Sequence, residues 1–480
     1  MREGAHPQLG LVRFGCKGRF SRGARESDEL PIEVSLPHLG GSPIVARADL
    51  TGPEFRSLLL IMGSQGQSAF FSFRGAMSDT TVHLGSDQVD ARQVGGPPRA
   101  RRSLDSVTAA TLQFRSIEFR ASGQGCQGER FVRFWPTPWP PICGVTRSQT
   151  TLRAPSRRAL RPGFLDPRVD VLRNGSYEVC LSKESRPIWP WPNHRRRHYL
   201  FEPALTIRDR PGCLDTPDEQ FLKGAVQAGW DLCTAMSLAT LQSVRPAWIE
   251  RALPSERSFK VLAERPWPIP PLDSIFWLVD PDRVLEFLAT SCAGLPILRE
   301  RGVDPRVPIT FLATEGRGIP VEPAFALAFM ALEQLKDLPL LGDNSPEIVP
   351  ESFFKKILRP RFSEVIERAP VCQEQAVAMK DKLTELNRPP LRLVLERLVE
   401  DLTLQIEKFG CELQPLIKMR NDLFHSSWVP AGGKLSIGLD HVRFLSGRLL
   451  LALLGWRDFS HCPSTDILNV LAKRQRANDP

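Results

Sequence analysis

Only two tyrosines occur in 480 residues, and 13 lysines stand against 50 arginines. Both imbalances fit a GC-rich genome, so part of the arginine count reflects codon usage. The ten cysteines form no CxxC pair, and no His sits at ligand spacing from any of them. That pattern argues against a structural zinc site and for reduced thiols in a cytosolic protein. The longest apolar run near the end, Leu449 to Trp456, is too short to cross a bilayer. Arg2, Arg13, Lys17 and Arg19 mark the beginning of the chain, but no apolar h-region follows them, so no secretory signal is expected. The expected location is cytoplasmic, with no membrane partner. No Walker loop and no GxSxG elbow is present. Gly123-Gln-Gly-Cys-Gln-Gly128 satisfies GxGxxG literally, yet a dinucleotide site needs a helix directly after it, and here a strand-like alternation follows. Gly41-Ser42 near Asp49 resembles a nucleotidyltransferase opening without the DxD that would complete it.

What is present is unevenly placed. Residues 1–200 carry 29 basic and 17 acidic side chains, a net of +12, and the remainder carries 34 and 37, a net of −3. The basic excess therefore lies in the first 200 residues, the expected footprint for a polyanion such as nucleic acid. The bland alternative is a solvated, arginine-rich surface. Residues 1–30 are Gly- and Arg-rich with little periodicity and are expected to be frayed. From Ile32 to about Leu200 the pattern is strand-like, as in Ser68–Gly75, Phe114–Arg120, Arg130–Trp135 and Ser176–Leu181. The period then changes to that of helices: 218–241, 280–293 with Gly294 placed to end it, 322–338, 351–368, 372–386, 391–409, 412–426, 440–456 and a short one from Thr465. The fold class expected is α+β, a strand-rich N-terminal domain followed by an all-α up-and-down helical bundle. The divisions expected are 1–30, a basic β-rich recognition domain over 31–210, a small helical extension over 211–320, and the bundle over 321–480.

The run with most chemical content is Arg420-Asn421-Asp422-Leu423-Phe424-His425. A guanidinium can hold a scissile phosphate and stabilise its developing charge. A neutral imidazole can exchange the proton of a neighbouring ribose hydroxyl near neutral pH, and no metal is needed. With this many Arg and 8 His, such a spacing is expected by chance roughly two or three times. Its surroundings must therefore decide. Leu413, Leu416, Ile417 and Phe424 follow the spacing of a core face, while Asn421 and His425, four apart, share the adjacent face. The alternative is a surface Arg and His near the last turn of a helix ended by Pro430 and Gly432-Gly433.

Arg-Asn-x-x-x-His in a late helix of a C-terminal bundle resembles the signature of the HEPN superfamily. Within it, Phe325-Ala-Leu-Ala-Phe-Met-Ala-Leu-Glu-Gln-Leu is similar to the first-helix motif of the ApeA-like HEPN proteins. The resemblance covers residues 320–460 and is only architectural before them. It implies a helical bundle that forms a homodimer, with two motifs in one composite cleft. It also implies metal-independent RNA cleavage with no cofactor, in anti-phage defence or toxin-like growth control. Carried onto this chain, Arg420 binds and polarises the phosphate, and Asn421 orients His425 or the RNA. His425 serves as general base or acid at the 2′-hydroxyl, and Glu333 positions Arg420. Ser426 and Ser427 follow His425 where adenylylated HEPN toxins have a Tyr, which speaks against that mode of silencing. The partners implied are RNA, with tRNA as one candidate, a second copy of the chain, and a phage trigger or antitoxin.

A second basic element is His194-Arg195-Arg196-Arg197-His198, flanked by Trp189, Trp191 and Tyr199. Cations mixed with stacking aromatics suit single-stranded RNA, and Arg195, Arg196, Arg197, Trp191 and Tyr199 are the candidate contacts. The alternative is a Pro-broken loop whose charge is incidental. Three intervening Arg would repel a metal from the two His. Two rivals to the ribonuclease reading remain: a non-catalytic HEPN module that binds nucleic acid or protein, and an unrelated helical regulator with a chance motif.

Overall fold

Alternation of apolar and polar residues is the dominant local signal in the first third of the chain, and in the computed structural model it produces strands. The structure describes residues 12–36, 44–51, 53–54, 57–58, 71–76, 82–95, 108–122, 130–137, 151–153, 169–174, 177–187, 198–209, 216–262, 278–313, 319–336, 347–404, 412–425 and 434–458. It is an α+β protein that divides into two compact units. One comprises Met1–Met236, Val244–Ser274 and Pro281–Ala289; the other comprises Ser237–Ser243, Ile275–Asp280 and Thr290–Pro480.

The first unit opens with β1 (Val12–Arg22), which turns through Gly23, at φ +62°, into the short β2 (Arg25–Glu26). A Gly at that position is what a two-residue hairpin turn requires. Next come β3 (Leu30–Leu36), β4 (Ile44–Leu50), β5 (Phe71–Ala76), β6 (Val82–Gly95), β7 (Thr108–Phe114) and β8 (Ser116–Ser122). The antiparallel pairings β5–β1, β1–β3, β3–β4, β4–β7, β7–β6 and β6–β5 form a closed ring. Six strands thus make a barrel, which removes their free edges. β3 and β4 show strict inward alternation, with Leu30, Ile32, Val34 and Leu36 facing Ile44, Ala46, Ala48 and Leu50 in one core. Phe20 and Phe73 lie 4.9 Å apart between ring centroids, and Phe73 and Phe114 5.6 Å. Burying each such ring contributes about 1.5–3 kcal/mol. Gly18 makes room for them, because a Cβ there would fall 2.4 Å from the Phe73 ring.

The strand run 108–122 serves two sheets. It pairs with β6 in one register from Ala91 opposite Leu112 to Val82 opposite Ala121, and beyond a register shift between Ala91 and Gln93 the pairing runs on to Gly95 opposite Ala109. On its other side β7 joins β4, while β8 joins β15 (Glu256–Leu262). From there an open antiparallel sheet continues through β14 (Arg245–Ala252), β9 (Phe131–Thr137), β13 (His198–Asp209), β12 (Tyr177–Pro187) and β11 (Val169–Asn174), with β10 (Thr151–Arg153) beside β13. Trp135, Trp248 and Val261 on this sheet extend the barrel core. Helix α1 (Asp218–Thr240) covers the other face. Its Gly229 sits where a Cβ would meet the Phe134 ring at 2.0 Å. Buried Arg130 ties strand to helix, bonding Asp209, the Thr216 carbonyl at 2.5 Å and Asp218 at 3.0 Å.

Two expectations are corrected here. The opening is not frayed throughout, because residues 12–22 form a barrel strand whose inward Phe14, Cys16 and Phe20 are separated by outward glycine and cations. The strand-rich part does not end near 210 either, since β14 and β15 complete the sheet. Their period was hidden because β14 is buried on both faces and carries a charged residue inside: Glu250, 1% exposed, lies between Arg133 and Arg257.

In the second unit the described helices are the C-terminal part of α2 (Val284–Glu300), then α3 (Arg306–Ala313), α4 (Val321–Lys336), α5 (Arg359–Arg368), α6 (Gln373–Lys382), α7 (Leu391–Asp401), α8 (Leu413–His425) and α9 (Lys434–Leu453). A turn at Glu351–Phe353 and a π-helical Phe354–Leu358 lead into α5. Helix α9 is central, with Leu435, Leu439, Val442, Leu445 and Leu449 buried. Gly294 lies inside α2 rather than ending it: a Cβ would fall 2.5 Å from the Leu454 carbonyl, so close helix packing uses its bareness. Helix α7 stops well before Phe409 because Thr403 takes φ +54° and Leu404 bonds back to Val399. Helix α9 starts at Lys434, six residues before the expected Asp440. The helix expected from Thr465 falls outside the described residues. The five described cysteines are all free, and burial pushes the Cys16 thiol up to about 12.

Candidate functional site

The site is built by three helices of the second unit. On α4, Phe325, Phe329 and Glu333 recur every four residues and form one stripe. The two rings are buried 5.8 Å apart, and the carboxylate stands one turn beyond them where the stripe reaches solvent. On α8, Leu413 and Leu416 are buried, while from Ile417 to Phe424 the side chains are half-buried or exposed. Gly438 of α9 lets these helices meet, since a Cβ there would lie 2.7 Å from Met419 Sδ and 3.3 Å from the Phe325 ring. Met419 immediately precedes Arg420, so this close approach seats the C-terminal turns of α8. Nothing in the sequence spacing signals Gly438 or Met419; only the packing does.

Arg420 and Glu333, 87 residues apart in sequence, are in contact. Arg420 Nη2 lies 2.8 Å from Glu333 Oε1, and Nε donates to the same oxygen at 3.1 Å. The two side chains are 26% and 27% exposed, which limits the pair to on the order of 1 kcal/mol. Nη1 donates to Asn421 Oδ1 at 3.2 Å, and the guanidinium carbon sits 5.1 Å from the centroid of the Phe424 ring. Carboxylate, amide and ring together fix the plane of the guanidinium, and its head remains reachable from solvent. Phe424 is 48% exposed, so it is not a core residue as its spacing suggested; it lies beside Arg420 instead.

His425 is the last residue of α8, one turn beyond Asn421, and its side chain lies outside the described residues. The amide oxygen of Asn421 is turned toward Arg420. Of the second group of candidates, Trp191, Arg195, Arg196 and Arg197 lie outside the described residues. Tyr199 belongs to β13, opposite Pro187 and Leu152, and its side chain too lies outside the description. Among the described residues no three His, Cys, Asp or Glu side chains gather as a metal site. No described helix is long and apolar enough to cross a membrane. No family model matches the chain, and neither a curated protein nor a solved structure matches it, so the site is read on its own chemistry.

Proposed function

We propose that the protein is a metal-independent endoribonuclease of the HEPN type, acting as a homodimer in bacterial defence or growth control. The observation that carries this reading is the Glu333–Arg420 pair, which ties the first-helix motif to the Arg-Asn-x-x-x-His motif in space. A guanidinium held in one plane is suited to gripping a phosphate through two oxygens. In the reaction, His425 takes the proton of a ribose 2′-hydroxyl, and that oxygen bonds to the adjacent phosphorus. The bond from phosphorus to the 5′-oxygen breaks, Arg420 offsets the charge on the phosphate, and a second imidazole or water protonates the leaving oxygen. The products are a 2′,3′-cyclic phosphate end and a 5′-hydroxyl end. The exposed apolar side chains of the helical unit, Phe353, Val365 and Val377 among them, support a second copy as partner. The same side chains favour a second reading, a non-catalytic HEPN module that binds a protein.

The test is cleavage of total RNA and tRNA by purified protein in excess EDTA. Wild type is expected to leave cyclic-phosphate ends, His425→Ala to lose 10²–10⁴-fold in rate, taking about that range for a general base, and Glu333→Gln to lose less. Cutting equal in wild type and His425→Ala would remove His425 from the mechanism and sink the proposal.

A further inference from the structure

We propose that the outer face of the barrel and the adjoining sheet, across β1, β5, β6, β8 and β15, is a binding site for the phosphodiester backbone of a nucleic acid. It lies in the other unit from the Arg420 site and goes beyond the nuclease reading without depending on it.

Strand register brings the charges together. On the outward side Arg19 stands opposite Arg74, Arg74 opposite Gly85, Gly85 opposite Glu118, and Glu118 opposite Lys260. One pleat along, Lys17 stands opposite Ala76, and the line continues through position 83 to Arg120. Arg251 on β14 reaches the same face and lies 3.5 Å from Glu118. Lys17, Arg19, Arg74 and Arg120 are exposed. Among the described residues the face sets three carboxylates against these six cations: Glu26 at 3.7 Å from Arg19, Glu118 at 3.2 Å from Arg120, and Glu256 at the start of β15 opposite Ser122. Five strands at a spacing of about 4.8 Å give the band a width of roughly 19 Å.

Three features identify the ligand. Like charges directly opposite each other on neighbouring strands repel, and Arg19 with Arg74 is such a pair; a polyanion relieves that repulsion. Gly15 and Gly85 interrupt the band, and a Cβ on either would meet nothing within 4 Å, so another backbone can approach the strands closely. Every exposed large apolar side chain among the described residues lies at Ile297 or later, outside this unit. Among the described residues the face therefore offers neither the apolar anchors of a protein interface nor rings on which bases stack. What it offers is charge in a plane, which suits phosphates and is indifferent to base sequence.

The experiment measures anisotropy of labelled DNA and of 2′-O-methyl RNA of the same sequence, with the full chain, across a potassium chloride series. The triple variant Arg19→Gln/Arg74→Gln/Arg120→Gln is expected to bind both at least about tenfold more weakly, with a salt dependence shallower by about two to three contacts. The corresponding Lys triple variant, which keeps charge, is expected to bind like wild type and shows that the Gln loss is not misfolding. Loss confined to the RNA arm would assign the face to RNA. Equal affinity and slope in wild type and the Gln triple variant would overturn the proposal, as would abolition of all binding by Arg420→Ala. Cleavage by the Arg420 site is read separately, so failure of one proposal does not imply failure of the other.

Discussion

The two units leave opposite kinds of surface to solvent. The β unit buries its large apolar side chains, as far as they are described, and exposes arginines and lysines aligned by strand register. The helical unit exposes Phe353, Ile357, Phe362, Val365 and Val377, while several of its surface charges pair with one another, as in Glu351–Lys355, Glu364–Arg368 and Glu367–Lys380. A closed barrel needs only one face buried, and every outward position is then available to charge. The helical stretch 351–368 has apolar residues on more than the face it buries, and helix 373–382 leaves Val377 and Met379 exposed. Phe354 and Ile366 are inside, yet Phe353 and Val365, each a neighbour of one of them, are outside. The proposed polyanion site and the proposed self-association face thus fall in different units.

The largest effect that would sharpen this contrast is Phe73→Ala. Its ring fills the barrel between Phe20 and Phe114, so about 3–5 kcal/mol of stability should go. Calorimetry is expected to show the transition of the β unit moved to lower temperature and that of the helical unit in place. A single transition displaced as a whole would mean that the units do not melt separately. Val365→Glu, at a site 66% exposed, should change stability by no more than about 0.5 kcal/mol and should weaken self-association seen by sedimentation velocity. Unchanged sedimentation would take this face out of the dimer.

The smallest effect is one of pH. Burial holds His441 below its ordinary 6.5, so the unfolded chain binds that proton more readily than the folded one. Its contribution is therefore intact above about 6.5 and is lost as pH falls toward the folded value. Melting temperature should decline over that range in wild type and less in His441→Gln; an identical decline in both would assign it to other groups.

The α+β character, most helices and four of the strands were legible because their periods are clear. Glu333 was legible as a partner of Arg420 only through motif resemblance, since no local spacing links residues 87 apart. Phe424 was misplaced because apolar spacing cannot distinguish a ring in the core from one set beside a guanidinium. β1 was hidden by Gly15 and Gly18, and β14 by Glu250, residues that are poor strand formers judged singly. Gly18 and Glu250 are explained by what packs against them: the Phe73 ring at Gly18, and Arg133 with Arg257 at Glu250.

The pairing of β8 with β15 joins residues near 120 to residues near 260. During synthesis β8 and β9 therefore emerge long before β14 and β15, the strands that come to lie between them. Until those are made, two strand edges stand open, templates for pairing with another nascent chain. A fragment ending near residue 210 would carry both edges permanently, so the smallest N-terminal piece that folds without aggregating should extend past Leu262.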